Sequence, residues 1–422
     1  MRSILAGLPL LFASSIFAQS TWTVSSTDGV SDFATIQSAV DAASDGDTIL
    51  VRPGTYGEFI IDGKGLIVLS GDGGSFAVDI PPVTAVALTG WATIRNVPLS
   101  STVIIRGMQI QTGVDPIGFT FGFPGMVLLN NAGDIWLEDV DIDLSVATGG
   151  NFMYGVALLN SDSVNLVDSS FRGAPGSDGL FSLNSDVFAF ESEFRGGLGF
   201  HFDDYGTDVF NDGGDGVNFS GGEFFGSDSL YEGGAGYSPL DGLLCGHATS
   251  DGGNGFNLAN GTFRDRTGSS IAGAGGDGTF CGIPSSSDGQ TLIMSNGTMV
   301  PMTEPLRGMT TNSPVFEGDL FTRTYYGEPS ELVLLTVGGA IAPGAFVPDF
   351  MGPLFITGPQ IYRFEGLLNG SGTKTKAFTL QDVGSGAFTL YFQPSFFDLG
   401  TSTWRTGSPT CVSFVDGSYQ LP

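Results

Sequence analysis

The residues best suited to chemistry lie together in Phe200-His201-Phe202-Asp203-Asp204-Tyr205-Gly206-Thr207-Asp208-Val209-Phe210-Asn211-Asp212. The stretch holds one of the chain's 2 histidines, a double carboxylate at Asp203-Asp204, and further carboxylates at Asp208 and Asp212. Paired carboxylates can work as general acid and base on a glycosidic bond. They can also hold calcium, which acidifies the α-proton of a uronic acid, and Asp208 and Asp212 are the candidate calcium ligands. An arginine would then serve as the Brønsted base of a lyase. Arg172 and Arg195 fit that role, because they follow Phe171 and Phe194 in adjacent repeats and should stack on one outer face. With His201, Asp203 and Asp204 they would line a groove for an acidic polysaccharide. The bland alternative is that Asp-rich loops in an acidic protein are solvated surface.

The elements that must position these residues announce themselves as a repeat. Asp212-Gly213-Gly214-Asp215-Gly216-Val217-Asn218-Phe219 returns 39 residues later as Asp251-Gly252-Gly253-Asn254-Gly255-Phe256-Asn257-Leu258. A fixed period of short apolar runs punctuated by Gly, Asn and Asp marks a solenoid. Thr102–Ile110 aligns with Asp134–Ile142 and again with Ser163–Phe171. A second series runs through Gly125, Gly155, Gly179, Gly216 and Gly255, spaced by 30, 24, 37 and 39 residues. Five residues after each comes Asn130, Asn160, Asn184, Gly221 or Asn260. Asn at one place per coil suits a left-handed turn residue whose side chain bonds its stacked copies. The Gly and Asp of the repeat itself read as turns. The uneven spacing puts insertions at 198–215 and 237–253, and long loops on a rigid scaffold are where function concentrates. Cys245 and Cys281 lie 36 residues apart, close to the local period. Stacked positions about 4.8 Å apart can close a disulfide. Two stacked thiols are the alternative. Cys411 has no evident partner, and no Cys/His spacing suggests zinc.

Ahead of the repeats, Phe33, Ile36, Ala39, Val40 and Ala43 fall at helical spacing, with Ser31 or Asp32 available as a cap. Gly46-Asp47-Thr48-Ile49-Leu50-Val51-Arg52-Pro53-Gly54-Thr55-Tyr56 follows as turn, strand and turn. This pairing resembles the entry of pectate-lyase-like right-handed parallel β-helix proteins. The resemblance implies that the helix covers the first coil and that the next strand opens the solenoid. It implies little about chemistry, because that superfamily spans polysaccharide lyases, glycoside hydrolases, epimerases and proteins without known activity. Of the elements by which polygalacturonase-like hydrolases resemble one another, only the double Asp is present, and no Arg-Ile-Lys occurs. Gly275-Gly276-Asp277-Gly278 is a single imperfect likeness to calcium-binding nonapeptide turns.

The whole chain sets the remaining bounds. It has 422 residues, 66 of them Gly and 35 Phe, with 44 acidic against 15 basic residues and a net charge of −29. Such a surface repels nucleic acid and anionic membranes, which excludes both as partners. Arg2, the apolar run Ile4–Phe12 and Ile16-Phe17-Ala18 read as an export signal over 1–18, and no later run is long enough to span a bilayer. Residues 19–300 are then expected as the β-helix, of about eight to ten coils. A linker follows at 301–314, where prolines break the pattern. Residues 315–422 read as a β-sandwich-like domain. The expected architecture is all-β: a single-stranded right-handed parallel β-helix with an N-terminal cap helix, plus a C-terminal β-sandwich. The expected protein is secreted or on the cell surface. It is a monomer whose sandwich or linker caps the last coil, and calcium is its candidate cofactor. It binds or acts on extracellular polysaccharide or cell-surface glycan, as a lyase or hydrolase. The alternative is a non-catalytic surface or matrix scaffold.

Overall fold

The computed structural model describes residues 19–71, 75–78, 92–111, 124–145, 153–204, 207–238, 249–277, 284–302, 306–348 and 350–420, with main chain alone at 111, 201–204, 207–210 and 343. The signal expected at 1–18 lies outside them. Three parallel sheets wind into a β-helix. The first stacks Phe59–Asp62, Ala92–Arg95, Met126–Leu129, Val156–Leu159, Leu180–Leu183, residues 217–220 and 256–259, and Leu292–Ser295. The second begins with Thr21–Val24 and Thr48–Val51 and climbs through ten rungs to Thr298–Met302. The third runs from Thr55–Tyr56 through Ser170–Arg172 and Glu193–Arg195 to Ser269–Ile271.

Each corner has its own local chemistry. Between the first and second sheets, Asn96, Asn130, Asn160, Asn184, Asn260 and Asn296 all take φ between 52° and 58°. The Asn160 amide donates to the Asn130 side chain at 3.1 Å, so the expected asparagine ladder is present. Between the second and third sheets the left-handed residues are mostly acidic: Asp139, Asp168, Glu191 and Asp228, at φ 46–55°. The third corner is built of glycine, and the expectation of turns there is corrected. Gly214 donates to the Gly197 carbonyl (2.9 Å), Gly234 to Gly214 (2.8 Å), Gly253 to Gly234 (2.8 Å), Gly273 to Gly253 (2.9 Å) and Gly289 to Gly273 (2.9 Å). None of these six glycines sits at positive φ. They are required because a Cβ at Gly253 would overlap the Gly214 carbonyl oxygen, and the same overlap recurs up the column. Extended glycine legs thus pack backbone on backbone, leaving and re-entering each coil.

The interior is apolar and aromatic. Phe171, Phe194 and Tyr231 stack on successive rungs with centroids 5.6 and 5.9 Å apart. Helix Ile36–Ala42 buries Ile36, Ala39 and Val40 in this core. Its N-cap is Thr35, which accepts from Ser38 N, and not Ser31 or Asp32; Asp32 instead accepts from Thr23.

The segment expected as linker contains strand: Pro301 and Met302 end the last coil, and Gly308–Thr311 joins a three-stranded sheet with Leu320–Tyr326 and Thr373–Thr379. A seven-stranded sheet containing Leu332–Phe346, Pro353–Leu367, Ala387–Asp398 and Thr410–Val415 packs on it through Phe321, Tyr325, Val333, Phe392 and Phe414. Among the described residues this C-terminal unit does not cap the last coil. It lies along the flank, where Phe316, Ile341, Phe355, Tyr391 and Cys411 share a core with Leu50, Leu69, Ile104, Trp136, Phe188 and Phe225 of the second sheet. Its lock is Glu138, 4 % exposed, which pairs with Arg106 at 2.8 Å and accepts from Trp136 Nε1 (2.9 Å), Thr410 Oγ1 (2.7 Å) and Cys411 N (3.2 Å). Cys411 is free, and burial, then the Glu138 charge, pushes its thiol well up, so it stays an inert thiol.

Candidate functional site

The nominated loop is a hairpin, Phe200–Asp204 against Thr207–Asn211, with His201 opposite Phe210, Asp203 opposite Asp208 and Asp204 opposite Thr207. It leaves the coil between two glycine legs. Its foot meets Gly176, where a Cβ would lie 3.0 Å from both Asn211 and the Phe200 ring. The side chains of His201, Asp203, Asp204 and Asp208 lie outside the described residues, as do Cys245 and Cys281. Asp212 is exposed, and its Oδ1 accepts the Asp251 N–H at 2.9 Å. Among the described residues no group of three or more His, Cys, Asp or Glu could hold a metal ion.

Arg172 and Arg195 do stack, on adjacent rungs of the third sheet, in a column that reads Asp143, Arg172, Arg195, Glu232. Arg195 binds Glu193 at 3.0 Å and Glu232 at 3.4 Å. Arg195 is therefore charge-compensated, while among the described residues Arg172 Nε is buried without a hydrogen-bond partner.

A different constellation forms where the glycine corner enters the first sheet. Asp178, Asp215, Asn254 and Gln290 each stand two residues before a first-sheet strand. They are tied upward by a ladder: Asp215 N to Asp178 Oδ1 (2.8 Å), Asn254 N to Asp215 Oδ1 (2.7 Å) and Gln290 N to Asn254 Oδ1 (2.9 Å). The second oxygens accept amides from the strand itself, Asn218 to Asp178 (3.1 Å) and Asn257 to Asp215 (3.0 Å). A parallel ladder runs Asp212, Asp251, Ser287, and the two enclose a cleft of about 390 Å³ lined by Asp212, Asp215, Asp251, Asn254, Asp288 and Gln290.

Burial, then the neighbouring Asp215 charge, pushes the Asp178 carboxyl up to about 7. One rung away, by strand spacing, is about 4.8 Å. Beside them Tyr154 stacks on Phe181, centroids 4.7 Å apart and 12° from parallel, both half-buried. Burial pushes the Tyr154 phenol up to about 12, with the Asp178 charge adding to it. Phe181, Asn218 and Asn257 share one outward column, with Leu183 and Ser220 in the next. The geometry thus offers an aromatic platform, two amides and a carboxyl that ionises only at about 7. The sequence signal was the Asp-Gly or Asn-Gly at Asp178, Asp215 and Asn254, a pattern that looks like turn chemistry.

A depression of about 500 Å³ on the C-terminal unit, lined by Glu317, Asp382 and Asp416, offers less. Asp382 and Asp416 there cap their own turns through Gly384 N and Ser418 N.

No family model and no curated protein matches the chain. Among solved structures it is similar to a pectin methylesterase mutant in complex with a hexasaccharide, at 13 % identity, TM-score 0.31, over 60 % of this chain and 81 % of that one. It is also similar to the enzymatically active domain of tailspike protein 4 of bacteriophage CBA120, at 9 % identity, TM-score 0.26, over 80 % of this chain and 60 % of that one. At these TM-scores neither likeness bears on the site.

Proposed function

We propose that this chain is a secreted β-helix protein that binds an extracellular polysaccharide along the outer face of the first sheet, with Tyr154 and Phe181 as the sugar platform. The export signal read at 1–18 supports the location. The observation that carries the reading is the stacked Tyr154–Phe181 pair standing beside Asp178, a carboxyl held protonated to about 7. Aromatic faces take the apolar faces of sugar rings, while Asn218 and Asn257 offer hydroxyl partners. Asp178, Asp212, Asp215, Asp251 and Asp288 line the same region, so a neutral glycan suits it better than an acidic one. If the protein cleaves its glycan, Asp178 is the proton donor and Asp215, which accepts three N–H donors, is the partner carboxyl group.

The scaffold reading also has an observation in its favour. Both carboxylates spend acceptor capacity on bonds between coils, which is what a purely structural ladder would do. Affinity electrophoresis against neutral and acidic polysaccharides, with reducing-end release measured in parallel, separates the two. Retardation by a neutral glycan that disappears in Tyr154→Ala/Phe181→Ala supports the binding face. Reducing ends lost in Asp178→Asn support the catalytic pair. No retardation by any glycan leaves the scaffold reading, and retardation by acidic glycans alone refutes the charge argument.

A further inference from the structure

Among the described residues the β-helix is shut at one end and open at the other. At the start, helix Ile36–Ala42 lies on the core. The free edge of Thr21–Val24 is taken by Phe33, which donates to Thr23 O at 3.1 Å and accepts from Ser25 N at 3.0 Å. Asp32 accepts the Thr23 N–H at 2.8 Å. At the far end, Leu292–Ser295 and Thr298–Met302 pair with Phe256–Arg266 on one side only. Half the main-chain groups of a sheet strand face each neighbour, so the outer half of both strands has no strand partner among the described residues. Met294 is 52 % exposed and Ile271, ending the third sheet, 48 %. Leu292 and Met299 are only partly covered where they pack on the end of the core.

Two facts decide what closes this end. Residues 291–302 carry no charge in a chain of net charge −29. Solvent-facing strand edges are normally guarded by charges, above all lysine. This one carries no charge and has Pro301 as its single guard residue, so it is the patch where two acidic copies repel each other least. At the N-terminal end the second-sheet edge, Thr21–Val24, is taken by Phe33 and Asp32, which disfavours head-to-tail stacking onto Thr298–Met302.

We propose that the last coil docks on the last coil of a second copy across a two-fold axis, giving a closed tail-to-tail dimer. A two-fold contact places each patch on its own copy, and the facing edge strands run antiparallel, a pairing that suits their unused N–H and C=O groups. The monomer expected from sequence rested on the sandwich or its linker capping this coil; the sandwich lies on the flank, and linker residues 303–305 lie outside the described residues. A dimer of this form carries two first-sheet faces on one particle and so engages a polymeric ligand twice.

Sedimentation equilibrium of the mature protein tests the inference. The expected result is a particle of twice the chain mass that falls to one chain mass in Met294→Lys/Thr298→Lys. A control, Thr401→Lys on the C-terminal unit, should stay dimeric. A monomer across the whole concentration range, or a dimer that survives the double substitution, overturns it. Should the double variant fail to fold, hydrogen exchange of the unmodified protein decides. Amides of 292–302 must exchange more slowly in concentrated than in dilute samples, and concentration-independent exchange refutes the contact.

Discussion

Replacing Asp178 by Asn tests the physical basis of the site directly. In the unfolded chain this carboxyl titrates near 3.8, and in the fold at about 7. The folded protein therefore holds the proton longer. Its stabilising effect is fully present below pH 3.8, declines as pH rises, and is gone above about 7. Three pH units of difference, at about 1.4 kcal/mol per unit, amount to about 4 kcal/mol. Asn is neutral throughout and loses nothing. Its Oδ1 can accept the Asp215 N–H as Asp178 does now at 2.8 Å, and the Asn218 amide, now a donor at 3.1 Å, can turn over to accept. Asp178→Asn should accordingly match the unmodified protein at pH 4 within about 1 kcal/mol and exceed it at pH 8 by about 3–4 kcal/mol. Urea denaturation at half-unit steps between pH 4 and 8 measures this. Other carboxyls raised by burial, such as Asp134, Asp186 and Asp265, act on both proteins alike and cancel in the difference. A stability difference independent of pH would refute the account, because it would mean that Asp178 is ionised in the fold.

Tyr154→Ala should weaken retardation by the bound glycan about tenfold, roughly 1.4 kcal/mol, with melting little changed. Arg195→Ala should leave retardation unaltered, because Glu193 and Glu232 already occupy that guanidinium; a loss would restore the arginine groove. Gly253→Ala should destabilise by about 3 kcal/mol through overlap with the Gly214 carbonyl, against no measurable effect for Gly57→Ala, where a Cβ meets nothing within 4 Å. Glu138→Ala strands Arg106 and should cost about 3–5 kcal/mol, read as release of the C-terminal unit to protease.

The solenoid was legible because stacking forces periodicity: the Asn130, Asn160, Asn184 and Asn260 column needs a left-handed residue once per coil, and few residues supply it. The matching column Gly107, Asp139, Asp168 was equally visible in the aligned repeats, yet acidic side chains there look like ordinary surface. The glycines misled for a physical reason. Glycine serves positive φ and close backbone approach alike, and a sequence does not say which; here it is approach. The pair Asp178 and Asp215 stayed hidden because burial and a neighbour 37 residues away raise the Asp178 carboxyl, and neither is local. Placement of the C-terminal unit did leave a trace. Thr48–Val51 and Ser163–Val167 are buried along their whole length, as the second sheet must be when both its faces are covered.

That covering narrows where a ligand can go. A three-sided solenoid offers three outward faces. The second is filled by Phe316, Phe355, Tyr391 and their neighbours, sealed around Glu138. The third presents Asp143, Arg172, Arg195, Glu193 and Glu232, where Arg195 is already paired with Glu193 and Glu232, a pairing that an incoming ligand would have to break and desolvate. The first presents Phe181, Leu183, Asn218 and Asn257, half-exposed apolar surface and amides, next to a carboxyl whose ionisation burial has pushed up to about 7. Desolvating that face costs least, and its groups are those a sugar ring can repay. Among the described residues the physical argument for a ligand therefore converges on the first sheet, and the glycine legs are what hold Asp178 and Asp215 at its edge.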